Sequence, residues 1–123
     1  MVLDTNILIL HLQGERYIID TLETWRTAGV ELHISSITRA ETLARSDLNN
    51  TEIEAIKEFL ADFNSVPFDD HLADIAASIR RRIKIALPDA AIAATALALE
   101  TPLVTKNVRD FKSVPWLRIV TLS

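Results

Sequence analysis

The sequence predicts an α/β fold: a central parallel sheet of four to five strands flanked by helices. Two observations predict it. Short apolar, strand-like runs alternate with longer segments whose apolar residues recur at helical spacing. That alternation implies crossover connections, and hence parallel strands. Apolar residues make up 49% of the 123-residue chain, enough for a real core and too many for disorder. Residues 1–123 read as one domain, because no stretch is long and polar enough to be a linker.

Val2-Leu3 is a strand fragment with no polar face, as a central parallel strand should be. It is so short that either the sheet borrows little from it or the start has been trimmed. Ile7 to Leu10 continues as a buried helical turn that Asp4 or Thr5 can cap, and Gly14 breaks it. Ile18, Ile19, Leu22 and Trp25 place a helix over 15–28, with Gly29 as its stop. Val30, Leu32 and Ile34 alternate with polar residues and predict a second strand over 30–34. Ser35-Ser36 then caps a helix over 37–46 that carries Glu41. Asn49-Asn50-Thr51 is a turn and cap before a helix over 52–63. Val66-Pro67-Phe68 is an extended link with room for a brief strand. Asp69-Asp70 caps a helix with Leu72, Ile75, Ile79 and Ile83 in register, ending in Arg80-Arg81-Arg82-Ile83-Lys84. Pro88 suits the first turn of the next helix, whose body, Ala90 to Leu99, is apolar nearly all round and so should be buried. Leu103-Val104 is a strand, a short helix follows near 108–112, and a last strand lies near 118–121.

The composition excludes several functions. With no cysteine, disulfides, zinc–cysteine sites and thiol catalysis are ruled out, which fits a cytoplasmic protein. No run approaches the roughly 18 apolar residues of a membrane span, and no basic segment precedes an apolar one at the start, so no secretory signal is expected. The net charge is −4, but it is unevenly spread. Residues 1–64 carry 11 acids and 5 bases, whereas residues 65–123 carry 6 acids and 8 bases. A local basic surface can bind phosphate on an acidic chain.

In a parallel α/β sheet, ligands sit beyond the carboxyl ends of the strands. Asp4-Thr5-Asn6, Glu41 and Thr105-Lys106-Asn107 all follow strands, and Asp89 opens the helix that feeds the fourth. Carboxylates gathered in one crevice raise one another's pKa. A hard divalent cation reverses this, and acids without histidine or cysteine partners point to Mg²⁺ or Mn²⁺ over Zn²⁺. Each acid also has an ordinary explanation. Asp4 reads equally well as a helix cap and as a ligand. Thr38-x-x-Glu41 matches a capping box, and Asp89 complements a helix dipole. Only the combination is specific.

Four segments carry that combination: Leu3-Asp4-Thr5-Asn6-Ile7-Leu8, Ser36-Ile37-Thr38-Arg39-Ala40-Glu41, Leu87-Pro88-Asp89 through Ala96, and Leu103-Val104-Thr105-Lys106-Asn107-Val108-Arg109-Asp110-Phe111. Together, and over essentially the whole chain, they resemble the PIN-domain family, and within it the VapC-like toxins of toxin–antitoxin pairs. The resemblance implies a Mg²⁺- or Mn²⁺-dependent endoribonuclease that hydrolyses RNA phosphodiesters, a homodimer, and a small antitoxin partner covering the site. It assigns Asp4, Glu41 and Asp89 as catalytic metal-site acids. The fourth position, often Asp in the family, is Asn107, a weaker neutral ligand that favours one firmly held metal over two. Asp110, one helical turn on, is an alternative acid, although a cap of the short helix is the simpler role. Thr5, Asn6 and Thr105 are similar to supporting residues that orient acids or waters.

Arg80, Arg81, Arg82, Lys84, Lys106 and Arg109 make a candidate RNA path, with solvated helix ends as the ordinary explanation. Lys112 and Arg118 extend it. His11, His33 and His71 have no metal-ligand spacing, and Trp25 and Trp116 read as packing residues. Two other functions compete. A catalytically silent PIN-fold binding module is compatible with Asn107. A phosphoacceptor signalling domain would need an acceptor acid after a central strand, for which Asp47 is badly surrounded.

Overall fold

The computed structural model describes residues 1–122. Its strands are β1 (Val2–Leu3), β2 (His33–Ser35), β3 (Asn64–Val66), β4 (Leu103–Thr105) and β5 (Ile119–Thr121). The helices are α1 (Thr5–Leu12), α2 (Arg16–Thr27), α3 (Ser36–Leu43), α4 (Asn50–Leu60), α5 (Asp70–Arg82), α6 (Leu87–Ala98) and α7 (Val108–Phe111). All pairings are parallel, in the order β3-β2-β1-β4-β5. The two-residue β1 is therefore the central strand. Val2 pairs with both His33 and Leu103, and Leu3 pairs with Val104.

Alternation along the strands sends neighbouring side chains to opposite faces. Val2 and Leu103 pack into one core with Ala76, Ile79 and Phe111, under α5, α6 and α7. Leu3 and Val104 pack into a second core with Ile7, Leu22, Leu60 and Phe63, under α1, α2 and α4. Both faces of the sheet are thus covered, which is why these strands read as unbroken apolar runs.

Three expectations shift. The second strand is His33–Ser35, not 30–34, because hydrogen bonding to Met1 begins at the His33 amide. The link before Asp69 does form a strand, but over Asn64–Val66, since Pro67 has no amide for the ladder. Trp116 is not packed. It is 83% exposed on a left-handed backbone with φ of 63°.

Candidate active site

The chain runs from β1 to β2 and β3 on one side of the sheet, then crosses to β4 and β5 on the other. The order reverses between β1 and β4, where a parallel sheet opens a crevice at its carboxyl edge. Asp4 leaves β1 at this point. Its amide donates to the Val104 carbonyl at 2.9 Å, which fixes its backbone to β4. It occupies the N-cap position of α1 but makes no capping bond. Its Oδ2 instead accepts from the Thr105 hydroxyl at 2.8 Å, across the reversal point. Thr105 Oγ1 accepts in turn from the Asn107 amide at 2.8 Å. The Asp4 carboxyl is almost fully buried. Desolvation pushes its pKa up, the Thr105 bond partly opposes this, and the charges of Glu41 and Asp110 add to the rise.

Glu41 does not belong to a capping box. Ser35 is the N-cap of α3 and accepts from the Ile37 amide, so Thr38 and Glu41 lie inside the helix. The Thr5 hydroxyl lies 2.7 Å from Glu41 Oε1 and 3.0 Å from Thr38 Oγ1. A hydroxyl has one proton, so Thr5 donates to the carboxylate and Thr38 donates to Thr5. Thr38, fully buried, was missed as a site residue because its spacing to Glu41 imitates a cap.

Asp89 sits in the first turn of α6, with Ala86 at the N-cap. Its pKa is pushed up to about 6, by burial first and then by the charges of Asp4, Asp110 and Glu41. The repulsion is informative, because each of the three named sources is an acid from a different element. Asp110 faces this cluster and lines a cleft of about 280 Å³ with Asp89, Lys84, Arg109 and Ser113. It caps nothing. The N-cap of α7 is Asn107, whose side chain makes no capping bond. Asn107 is itself exposed and contributes its amide to Thr105, so the fourth acid near Asp4 and Asp89 comes from position 110. The three-residue offset of one helical turn was the signal for it. Among the described residues, no ion pair reaches Asp4, Glu41, Asp89 or Asp110.

The structure divides the basic residues. Lys84 and Arg109 line the acid cleft. Arg80, Arg81 and Lys84 border an adjoining groove of about 710 Å³, where Arg80 Nε also donates to the Ile85 carbonyl at 3.0 Å. Arg82 faces elsewhere, beside Ile75, Leu97 and Trp116. Lys106 and Asn6 are exposed. His11 stacks near Phe59, and His33 lies 3.6 Å from Glu31.

Residues 1–117 match the PIN domain family. The chain belongs to that family. Among curated relatives, a Ribonuclease VapC from Rickettsia bellii is 36% identical over 77 residues, spanning 58% of this chain and 55% of that protein. Ribonuclease VapC1 from Rickettsia felis is 32% identical, covering 100% of this chain and 96% of its own. A toxin–antitoxin complex from Klebsiella pneumoniae superposes with a TM-score of 0.82 at 32% identity, covering 98% of this chain and 95% of that one. The fold predicted from sequence, a PIN-like parallel sheet, is thereby shown.

Donor chemistry decides whether this PIN-domain site suits a divalent cation. Its donors are all oxygens, two of its acids have raised pKa values, and among the described residues no basic side chain forms an ion pair with them. Among the described residues, no three acids stand close enough to form a ready-made cage. Mg²⁺ does not need one, because it keeps several of its waters and takes one or two carboxylates. The residues fit a hydrated hard cation.

Proposed function

We propose that this PIN-domain protein is a Mg²⁺- or Mn²⁺-dependent endoribonuclease acting as the toxin of a toxin–antitoxin pair. The observation that carries the chemistry is the convergence of Asp4, Glu41, Asp89 and Asp110 at the reversal point of the sheet, with no ion pair to any of the four among the described residues. The VapC relatives are named ribonucleases, and the Klebsiella pneumoniae neighbour is a toxin–antitoxin complex. These likenesses support an RNA substrate and a small antitoxin partner, and the same reading takes the protein as a homodimer in the cytoplasm. Among the described residues, no helix is long and apolar enough to cross a membrane.

Asp4 and Asp89 would hold the cation, with Glu41 and Asp110 reaching it directly or through water. Such a cation supplies Lewis acidity toward a phosphodiester and a hydroxide equivalent at neutral pH. Thr105 fixes the Asp4 carboxylate and Thr5 fixes Glu41, so neither acid has to reorient as charge develops. Lys84 and Arg109 stand at the same cleft, where they can bind the non-bridging phosphate oxygens. Glu41 and Asp110 would accept the proton of the attacking water. Among the described residues that line the cleft there is no histidine or cysteine, and direct hydrolysis by an activated water is the reading these acids favour.

The test is cleavage of RNA by purified protein with Mn²⁺. Asp89→Asn should lower kcat by at least about a hundredfold, the scale of losing a group that positions or stabilises the reacting atoms. Cleavage by Asp89→Asn at the wild-type rate would overturn the assignment.

A further inference from the structure

Of the large apolar side chains among the described residues, Trp116 is the most exposed, at 83%, and its backbone is left-handed with φ of 63°. The turn that carries it is well anchored. Pro115 is its second residue and Trp116 its third, and the Leu117 amide closes it on the Val114 carbonyl at 3.4 Å. Val114 is buried, and Leu117 packs against the same core. A left-handed third position after proline is where a turn ordinarily takes glycine. Tryptophan here strains the backbone and also leaves its ring in water. A side chain that folding disfavours on both counts points to a function.

The surroundings of the ring indicate what would cover it. Trp116 stands between two clefts. One, of about 170 Å³, is bordered by Ile75, Leu97, Pro115 and Arg82. The other, of about 250 Å³, is bordered by Glu100, Thr101 and Arg118. Arg82 and Arg118 are both exposed, and among the described residues neither forms an ion pair. Arg118 donates one N–H to the Glu100 carbonyl at 2.8 Å, which leaves the other guanidinium donors for a ligand. Glu100 is the only acid bordering either cleft, so the Arg82 side is the more positive. Among the described residues, no aromatic ring or guanidinium stacks on the indole. An open indole beside unpaired guanidinium groups suits a ligand that offers a flat base to stack and a phosphate to neutralise.

The acid cleft leads to this place along two walls. The end of α5 and the link after it pass from Arg82 beside the indole to Ile83, Lys84 and Ile85 beside the acids. The loop between α7 and β5 passes from Ser113 at the acids to Pro115 and Trp116. Along α6, Asp89 and Leu97 mark the two places, about 12 Å apart on the helix axis, a span that a few nucleotides cover. Taking RNA as the substrate, as proposed above, we infer that the single strand flanking the cut leaves the acid cleft between these walls and stacks a base on Trp116, with its phosphates beside Arg82 and Arg118. Every base has a π face, so the stack selects no particular sequence. It selects an unpaired flank, because a base inside a duplex has no free face to offer.

The experiment is binding of a short, mixed-sequence, fluorescein-labelled single-stranded RNA to the full chain in EDTA, read by anisotropy. Trp116→Gly should bind about tenfold more weakly, the loss of one base stack. It should melt no lower than wild type, since glycine suits the left-handed position, so lost binding is not lost fold. Trp116→Phe should keep most of the affinity. Arg82→Ala should reduce the slope of log affinity against log salt by about 0.7, one phosphate contact on a single strand. The chain has two tryptophans, so Trp25→Phe leaves Trp116 as the sole indole. In that variant the single strand should shield the indole from iodide, and the same sequence as a duplex should not. Binding by Trp116→Gly equal to wild type, or a bound single strand that leaves the indole open to iodide, overturns the inference and leaves the nuclease reading standing. A wild-type chain that takes up no single-stranded RNA overturns both. An indole already shielded in the free protein at micromolar concentration is covered by a second copy, which also overturns the inference.

Discussion

Asp89 shows how one side chain can be unfavourable for folding and necessary for chemistry. Its folded pKa, about 6, lies above the ordinary value of 3.8. Between those values the native state holds a proton that the unfolded chain has lost, so stability falls as pH rises through that window. Above about pH 6 the destabilisation is fully present. Asp89→Asn removes it. In metal-free protein at pH 7.5 this variant should melt higher by a few degrees, on the order of 1 kcal/mol after discounting for the side chain's partial exposure. At pH 3.5 the gain should disappear. Calorimetry at the two pH values checks this, and an equal gain at both would show that the acid cluster is not its source. Glu41 carries the complementary lesson. From spacing alone Thr38 and Glu41 form a cap, and only the position of Ser35 at the start of α3 moves them into the helix, beside Thr5.

At the scale of elements, helix ends explain much of what spacing predicted. Gly14 and Gly29 both adopt φ of 83°, the left-handed conformation that closes a helix at little steric cost to glycine. Helix α6 ends in the same way, with the Glu100 amide donating to Leu97 and the Thr101 amide to Ala96. Its left-handed residue is Glu100, at φ of 52°, where a side chain costs roughly 1 kcal/mol. Glu100→Gly should therefore stabilise the protein by about 0.5–1 kcal/mol, read from urea midpoints at unchanged slope. The bond from the Arg118 guanidinium to the Glu100 carbonyl survives this change, so a loss of stability would mean that the strain is relieved elsewhere. The body of α6 follows a different rule. Ala90, Ala91, Ala93, Ala94 and Ala96 are fully buried, and their small size lets the helix lie close to both α5 and the sheet.

Across the whole molecule, the sheet gathers acids from four separate elements: Asp4 at the head of α1, Glu41 in α3, Asp89 in α6 and Asp110 in α7. Hydrophobic burial on both faces of the sheet holds this arrangement against the mutual repulsion of the acids. A cation that binds only the folded chain should stabilise it by mass action. Saturating Mn²⁺ should raise the melting temperature by several degrees at pH 7.5. The increase should shrink toward pH 5, where protons compete for Asp89. In Asp4→Asn the shift should be largely lost. A shift that is the same in Asp4→Asn as in wild type would place the metal elsewhere.

The alternation of apolar runs and helical periods determined the strand–helix order, the buried α6 and the positions of most helix caps, because these depend on neighbours within a few residues. The same order put Asp4 and Glu41 after strands and Asp89 at the start of the helix before β4, and the resemblance to the PIN-domain family joined them into one site. Tertiary structure decided what spacing left open. It showed that Asp4 bonds across β1 and β4 to Thr105, a partner 101 residues away, instead of capping α1. It turned Asp110 toward the acids while Asn107 took the cap position of α7, exposed Trp116, and divided one run of bases among three surfaces. The physical reason is common to all of these. A cap is a contact within one turn, whereas an acid's partners and charge repulsion come from whichever strands and helices the sheet order brings beside it.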